Sequence, residues 1–201
     1  MNGKIEMANF GDSGVLDVNW DDEVCRFGSG GQPSNFYWNN WATGKSVAFV
    51  WRAIDEKIPS AVALRNRGMN IQDVRCKICG VEDETAGHLL LRCNLAKRIW
   101  DAVSTWTRFP MYNTAASVSE LLQLISESNR SRSVRKLLHA IAIQSMWIMW
   151  KNRNERVFTG RQRASQLIVE DIKDTTFQGV KSRSKFNTMT KQEWWDFNFN
   201  S

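Results

Sequence analysis

Histidine is scarce in this chain, with only His88 and His139 among 201 residues. General acid–base catalysis most often uses an imidazole, and neither histidine belongs to a recognisable nucleophile–histidine–carboxylate set. The sequence also lacks a glycine-rich phosphate loop and a cluster of carboxylates able to hold two catalytic metal ions. We therefore expect that this chain is not an enzyme.

Long apolar stretches are also missing. No run approaches the roughly 18 consecutive apolar residues that indicate a membrane-spanning helix, so we expect no membrane partner. The sequence does not open with a signal-peptide pattern. This favours an intracellular location, nuclear or cytoplasmic, in which cysteines stay reduced.

Large aromatic residues, by contrast, are abundant, with ten Trp and ten Phe. Each of them buries about 150–250 Å², so a chain of 201 residues can build a substantial core in one domain, or in one domain with an appendage. The charge is unevenly distributed. Residues 1–84 hold 9 Lys and Arg against 12 Asp and Glu, whereas residues 85–201 hold 18 against 9. The positive charge is therefore concentrated in the second part of the chain.

Three of the four cysteines and one of the two histidines lie in the run CKICGVEDETAGHLLLRC. Two residues separate Cys76 from Cys79, eight precede His88, and four separate His88 from Cys93. A C-x-x-C turn presents two thiolates together, and three thiolates with one imidazole form one of the closed tetrahedral sets that hold structural zinc. The pattern predicts one structural Zn²⁺ bound by these four side chains.

Two other interpretations of the same run remain open: a redox-active C-x-x-C pair, or a disulfide with His88 as an ordinary core residue. A redox pair is expected beside a βαβ pattern, which the sequence does not show. Arg75 and Lys77 adjoin Cys76 and Arg92 adjoins Cys93, and neighbouring cations favour ionised sulfur. Zinc is therefore the preferred interpretation. The remaining cysteine, Cys25, is expected to be free and reduced.

Hydrophobic spacing predicts a mainly α-helical fold: a small helical domain built around the Cys₃His structural zinc site, with a long central helix and an irregular N-terminal segment. The longest helix should contain Trp147 and Trp150 as largely buried residues and His139 as a core or boundary residue. The expected helices cover residues 46–56, 60–67, a segment capped by Thr85 that carries His88, a segment capped by Asn94, one that starts at Ser117 or Ser119, residues 133–158 closed by Gly160, and residues 163–179.

Further motifs flank the cysteine–histidine run. Before it stand an F-x-W-R motif ending at Arg52, an Ile-Pro-Ser turn around Pro59 and an L-x-x-R-G helix end at Gly68; within it, Glu84 begins E-T-x-x-H. Farther on, residues 148–158 read IMWKNRNERVF. Together these residues resemble the reverse-transcriptase zinc-binding domain from the C-terminal part of plant non-LTR (LINE-type) retrotransposon reverse transcriptases. The resemblance implies that polymerase chemistry resides elsewhere and that this module binds or positions template RNA or target DNA.

We expect three regions: an irregular acidic N-terminal segment over residues 1–35, a zinc-binding domain over 36–110, and a helical C-terminal extension over 111–201 packed on it. The function that fits them is a non-catalytic, zinc-stabilised module that binds RNA or DNA through basic residues around the metal. The expected contacts are Arg75, Lys77, Arg92, Lys97 and Arg98. Further candidate cations are Arg65, Arg67, Arg153, Arg156, Arg161 and Arg163.

A different class of function remains open. A retrotransposon-derived remnant of this kind could serve as a protein-interaction module without nucleic-acid binding, using its aromatic C-terminal end. That end, with the run WWDFNF, is expected to dock back onto the domain, and a contact with a protein partner is the alternative. Whether the cations converge on one face or scatter distinguishes the two functions.

Overall fold

The fold is taken from a computed structural model of the chain, which describes residues 38–110 and 114–198. Within these two ranges the regular elements are helices, with one isolated antiparallel bridge between Arg75 and Asp83. The predicted mainly α-helical class is thus confirmed. The expected irregular segment over 1–35, including Cys25, lies outside the described residues. Among the described helices, none is long and apolar enough to cross a membrane.

Two helices precede the metal-binding segment. Helix α1 spans Gly44–Ile54 and starts two residues earlier than the sequence suggests, because the Thr43 side chain accepts a hydrogen bond from the backbone N–H of Ser46. Helix α2 spans Ala61–Asn66 and is capped by Ser60, as predicted.

A short π-helix, His88–Arg92, and helix α3, Asn94–Thr107, follow. The Thr85 hydroxyl accepts from the His88 backbone N–H at 3.0 Å, so the predicted cap is present; the helix behind it is α at Ala86 and Gly87 and π from His88. Asn94 does not cap α3, contrary to the prediction. Cys93 occupies the N-cap position in an extended backbone conformation and makes no side-chain cap.

Four helices complete the described fold. Helix α4 spans Val118–Glu127 behind its Ser117 cap, and helix α5 spans Arg132–Thr159. Helix α6 covers Ser165–Arg183, and the short helix α7 covers Lys191–Trp195. Gly160 ends α5 at a φ of 71°, a left-handed conformation that glycine adopts without strain.

Helix α5 is the central element of the core. It packs against α1, α4, α6 and the π-helix, and every residue from Leu137 to Met146 is buried. Trp150 is also buried, as predicted. Trp147, predicted to be largely buried, is intermediate in burial and packs against the core with its ring 5.4 Å from that of Phe49.

The aromatic end of the chain docks on the helices, as the sequence predicts. Trp194 is fully buried, its ring lies 5.1 Å from that of Trp106, and its indole N–H donates to the Lys173 carbonyl at 2.9 Å. A capping box between Thr190 and Glu193 fixes the start of α7. The aromatic end therefore belongs to the core of this domain.

Candidate metal centre

The turn that carries Cys76 and Cys79 is held by backbone hydrogen bonds. The Cys76 N–H donates to the Glu82 carbonyl at 2.7 Å, and the Gly80 N–H donates to the Cys76 carbonyl at 2.7 Å. Gly80 adopts a φ of 73°, which a residue with a side chain rarely takes. The chain thereby turns back on itself and presents both sulfurs on one side.

The four predicted ligands converge. One ligand atom from each of Cys76, Cys79, His88 and Cys93 lies within 4.8 Å of all the others. The sulfurs of Cys76 and Cys93 are 4.0 Å apart, and Cys79 Sγ lies 3.4 Å from His88 Nε2. Tetrahedral zinc with Zn–S bonds of about 2.3 Å places two sulfurs about 3.8 Å apart and a sulfur and a nitrogen about 3.5 Å apart. The donor set therefore fits one Zn²⁺ in a closed tetrahedral site.

Glu82 orients the imidazole. His88 Nδ1 lies 3.1 Å from Glu82 Oε2, so a proton on Nδ1 is held by the carboxylate and the lone pair of Nε2 faces the sulfurs. A carboxylate behind a ligating histidine is a usual arrangement around zinc, because it fixes the tautomer and the orientation of the ring. The imidazole is thus held in the form that binds a metal.

The electrostatics of the thiols also favour a cation. The hydrogen bond with Cys93, followed by burial, raises the pKa of the Cys76 thiol, while the same hydrogen bond lowers the pKa of Cys93. Two buried sulfurs in contact thus resist ionising together, and a divalent cation removes that conflict. The backbone N–H groups of Ile78 and Cys79 donate to the Cys76 sulfur, and the backbone N–H of Leu95 donates to the Cys93 sulfur. These hydrogen bonds favour the thiolate forms.

An ion pair beneath the turn supports the site. Glu84 is completely buried and accepts from Arg153 Nε at 3.1 Å, as well as from the backbone N–H of Ala61 at 3.0 Å. The prediction of Arg153 as a candidate nucleic-acid contact is therefore wrong. Its side chain is 9% exposed and neutralises Glu84, so it faces the interior of the protein.

Glu82, which orients His88, and Glu84, which pairs with Arg153, were not predicted from the sequence as supports of the metal site. Glu84 begins the E-T-x-x-H motif, which was the available signal, but the motif does not reveal its partner in α5. A third carboxylate, Glu56, accepts from the backbone N–H groups of Ala86 at 2.8 Å and Gly87 at 3.1 Å, and so satisfies the free donors at the start of the π-helix.

The predicted nucleic-acid contacts have different partners in the structure. Arg75 and Lys77 are exposed and both pair with Asp73, at 3.0 and 3.2 Å. Arg75, followed by Lys77, holds the pKa of the Asp73 carboxyl well below its usual range. Arg92 has other partners, since its guanidinium donates to the Ala116 carbonyl at 3.1 Å.

Lys97 and Arg98 are exposed on the first turns of α3. Arg98 lines a cleft beside the metal centre, together with Arg156 and Arg163, whereas Lys97 does not line it. Positive charge from Arg98, Arg156 and Arg163 thus gathers around this cleft, and the role of the five predicted residues in nucleic-acid contact stays a prediction.

Comparison with known families agrees with this geometry. Residues 23–100 match the model of a family described as zinc-binding in reverse transcriptase. The matched range contains the whole Cys₃His group, which the structure brings together. These residues are thus similar to a reverse-transcriptase zinc-binding domain. No curated protein and no solved structure matches the chain.

The zinc-binding domain, as matched, covers fewer than half of the 201 residues and ends at Trp100, within α3. Helix α5 lies beyond the match, yet its Arg153 binds Glu84 inside it. The structural zinc site of the domain thus depends on a helix that the family match does not include. With four protein ligands, the site leaves no coordination position at which zinc could activate water.

Proposed function

We propose that this chain is a non-catalytic module that binds or positions RNA or DNA, and that it derives from the C-terminal part of a retrotransposon reverse transcriptase. The similarity of residues 23–100 to a family that is zinc-binding in reverse transcriptase supports this proposal. The proposal adds that the metal serves to hold a basic surface in the shape required for phosphate contacts.

The observation that carries the proposal is the attachment of cations to the metal-binding turn. Arg75 and Lys77 flank the ligand Cys76, and the backbone beneath them is held by the turn that zinc closes. Cations fixed in this way lose less conformational entropy on meeting a phosphate than cations on a loose loop. Their exposed ion pairs with Asp73 are weak and can be exchanged for phosphate contacts.

Helix α5 adds further positive charge near the metal-binding turn through Arg156. Arg156 donates from Nε to the Lys77 carbonyl at 2.7 Å, so its guanidinium lies beside the turn. Arg163 follows in the connection to α6. Arg156 beside the turn, and Arg163 in the same cleft as Cys79, support a nucleic-acid surface over scattered solvated charge.

The test is a titration of fluorescent single-stranded RNA and double-stranded DNA at two salt concentrations. The variant with Arg75, Lys77 and Arg92 replaced by Ala should bind both more weakly and with a shallower salt dependence, because phosphate contacts release counterions and carry no sequence information. The matched control replaces Arg132, Lys181 and Lys185 by Ala, which removes the same charge at the other end of α5 and α6.

The outcomes separate the two classes of function. Weaker binding by the first variant than by the control supports the proposal. Equal loss in both variants indicates nonspecific attraction by net charge. No binding by the parent protein at low salt overturns the proposal and favours the protein-interaction alternative.

A further inference from the structure

A cleft of about 210 Å³ lies beside the metal centre. Its wall combines the metal-binding turn, the start of α3, the last turns of α5 and the connection to α6. The lining residues are Ile78, Cys79, Asn94, Leu95, Arg98, Asn152, Arg156, Gln162 and Arg163. Two regions that are distant in sequence, residues 78–98 and 152–163, therefore meet at this one depression.

The cleft has the charge to hold an anion. It contains three guanidinium groups and no carboxylate among its lining residues. Arg163 is neutralised by Asp171 at 2.7 Å, and a zinc ion with three thiolates and one neutral imidazole carries a single negative charge. One net positive charge remains, which a single phosphodiester group would neutralise.

The two arginines without an acidic partner differ in their freedom. Arg156 is held by the carbonyl of Lys77 and by the side chain of Gln162, so its guanidinium is already oriented. Arg98 makes no hydrogen bond or ion pair with any described residue and is exposed on α3. An oriented guanidinium and a free one suit a phosphate, which accepts hydrogen bonds from several directions.

Asn152 adds a second and independent feature. Its side chain is 4% exposed and lines the cleft, yet its Oδ1 atom is buried and accepts no hydrogen bond within the described structure. A buried acceptor without a donor is costly, and each such group in a native structure calls for an explanation. The missing partner is a hydrogen-bond donor, which a bare phosphate does not supply.

We propose that the cleft is a subsite for a ribose–phosphate unit of RNA. The phosphate contacts Arg98 and Arg156, and the ribose 2′-hydroxyl donates to Asn152 Oδ1. The 2′-hydroxyl is the donor that stands near each phosphate of RNA and is missing from DNA. This inference rests on the proposed nucleic-acid function and adds to it a location and a preference for RNA.

The first test compares Arg98→Ala with Lys97→Ala, using the full chain loaded with zinc. The two residues are adjacent and exposed on the same helix, and their loss changes the net charge equally. Affinity for oligouridylate, measured by fluorescence anisotropy, should fall about tenfold for Arg98→Ala, as for the loss of one charge-assisted hydrogen bond. It should fall much less for Lys97→Ala. Equal effects of the two variants overturn the subsite.

The second test compares oligouridylate with oligodeoxyuridylate of the same length, which differ only in the 2′-hydroxyl. The parent protein should prefer the RNA, and Asn152→Leu should abolish that preference while retaining the affinity for the DNA. Zinc content and helical circular dichroism verify that the variant is folded. Equal affinity of the parent for both oligomers overturns the ribose contact.

These results are distinguishable from those that test the proposed function. If the parent binds nucleic acid and loses affinity when Arg75, Lys77 and Arg92 are replaced, while Arg98→Ala matches Lys97→Ala, the cleft is not the subsite and the proposed function stands. If the parent binds no oligomer, both proposals fail.

Discussion

Arg153 donates from Nε to the Glu84 carboxylate at 3.1 Å, across 69 residues of sequence and in an environment where Glu84 has no exposed surface. The pair joins α5 to the segment that carries the metal ligands. A buried charge is costly without its partner. The Arg153–Glu84 ion pair consequently links the metal centre to α5, and its loss would cost considerable folding free energy.

Arg153→Met should therefore destabilise the protein by about 3–5 kcal/mol, since it leaves a buried carboxylate without its cation. Urea unfolding monitored by circular dichroism gives the free energy. The matched control is Arg161→Met, which removes an arginine from the exposed pair with Glu155. This control should change stability little, and a similar loss in both variants would contradict the role assigned to Arg153.

Cys79→Ser should release zinc and unfold the segment around residues 70–105. Binding of structural zinc contributes about 10–16 kcal/mol of apparent free energy in zinc-finger peptides, so loss of one thiolate removes a large share of local stability. Metal content by mass spectrometry and limited proteolysis of the segment measure the effect. Cys25→Ser is the control and should retain one zinc per chain. A Cys79→Ser protein with full zinc content and unchanged proteolysis would exclude the site.

His139 should make stability depend on pH. Burial lowers the pKa of His139 to about 4, from 6.5 in the unfolded chain. Between these values the unfolded state binds a proton that the folded state does not, so stability is complete above pH 6.5 and falls as the pH decreases.

Between pH 7 and pH 5.5, protonation of His139 in the unfolded state should lower the free energy of unfolding by about 1 kcal/mol. The zinc ligands also protonate in acid, so the contribution of His139 is the difference between the parent protein and His139→Gln at matched zinc concentration. The variant should lose about 1 kcal/mol less than the parent over this interval, because Gln does not titrate. Parallel pH profiles would show that the imidazole remains unperturbed on folding.

Gly179→Ala should destabilise the protein because α6 passes close to the segment before α1. An added Cβ at Gly179 would lie 2.9 Å from the Trp41 carbonyl oxygen, a backbone atom that cannot move independently. We expect a loss of about 1–3 kcal/mol, as for other overpacked sites. Gly44→Ala is the control, since nothing lies within 4 Å of its added Cβ, and it should leave thermal stability equal or slightly higher.

The metal ligands could be predicted from the sequence because their information is local. Cys76, Cys79, His88 and Cys93 lie within 18 residues, and the preference of zinc for sulfur and nitrogen gives their spacing a chemical meaning. The helices were predictable for a similar reason, since Ser60, Ser117 and Gly160 occupy the helix ends that their side chains favour.

The remaining features depend on contacts between distant segments. In the sequence, Arg153 and Arg156 are equivalent basic residues of one predicted helix. Only the packing of α5 buries Arg153 against Glu84 and leaves Arg156 at the cleft. Asn94 has a better capping side chain than Cys93, but the position of the Cys93 sulfur beside Cys76 decides where α3 begins. Trp150 is buried and Trp147 is intermediate, because Trp150 lies within the face of α5 that packs on the core and Trp147 lies at its border.

The π-helix between His88 and Cys93 sets a length requirement on this part of the chain. The Cys93 N–H donates to the His88 carbonyl at 2.7 Å, a bond from one residue to the fifth before it, which stacks the two residues one above the other. In an α-helix the same two residues would point about 140° apart. The number of residues between His88 and Cys93 is therefore fixed by the geometry of the site. One insertion or deletion would turn the imidazole and the sulfur to different sides of the helix, even with every ligand type preserved.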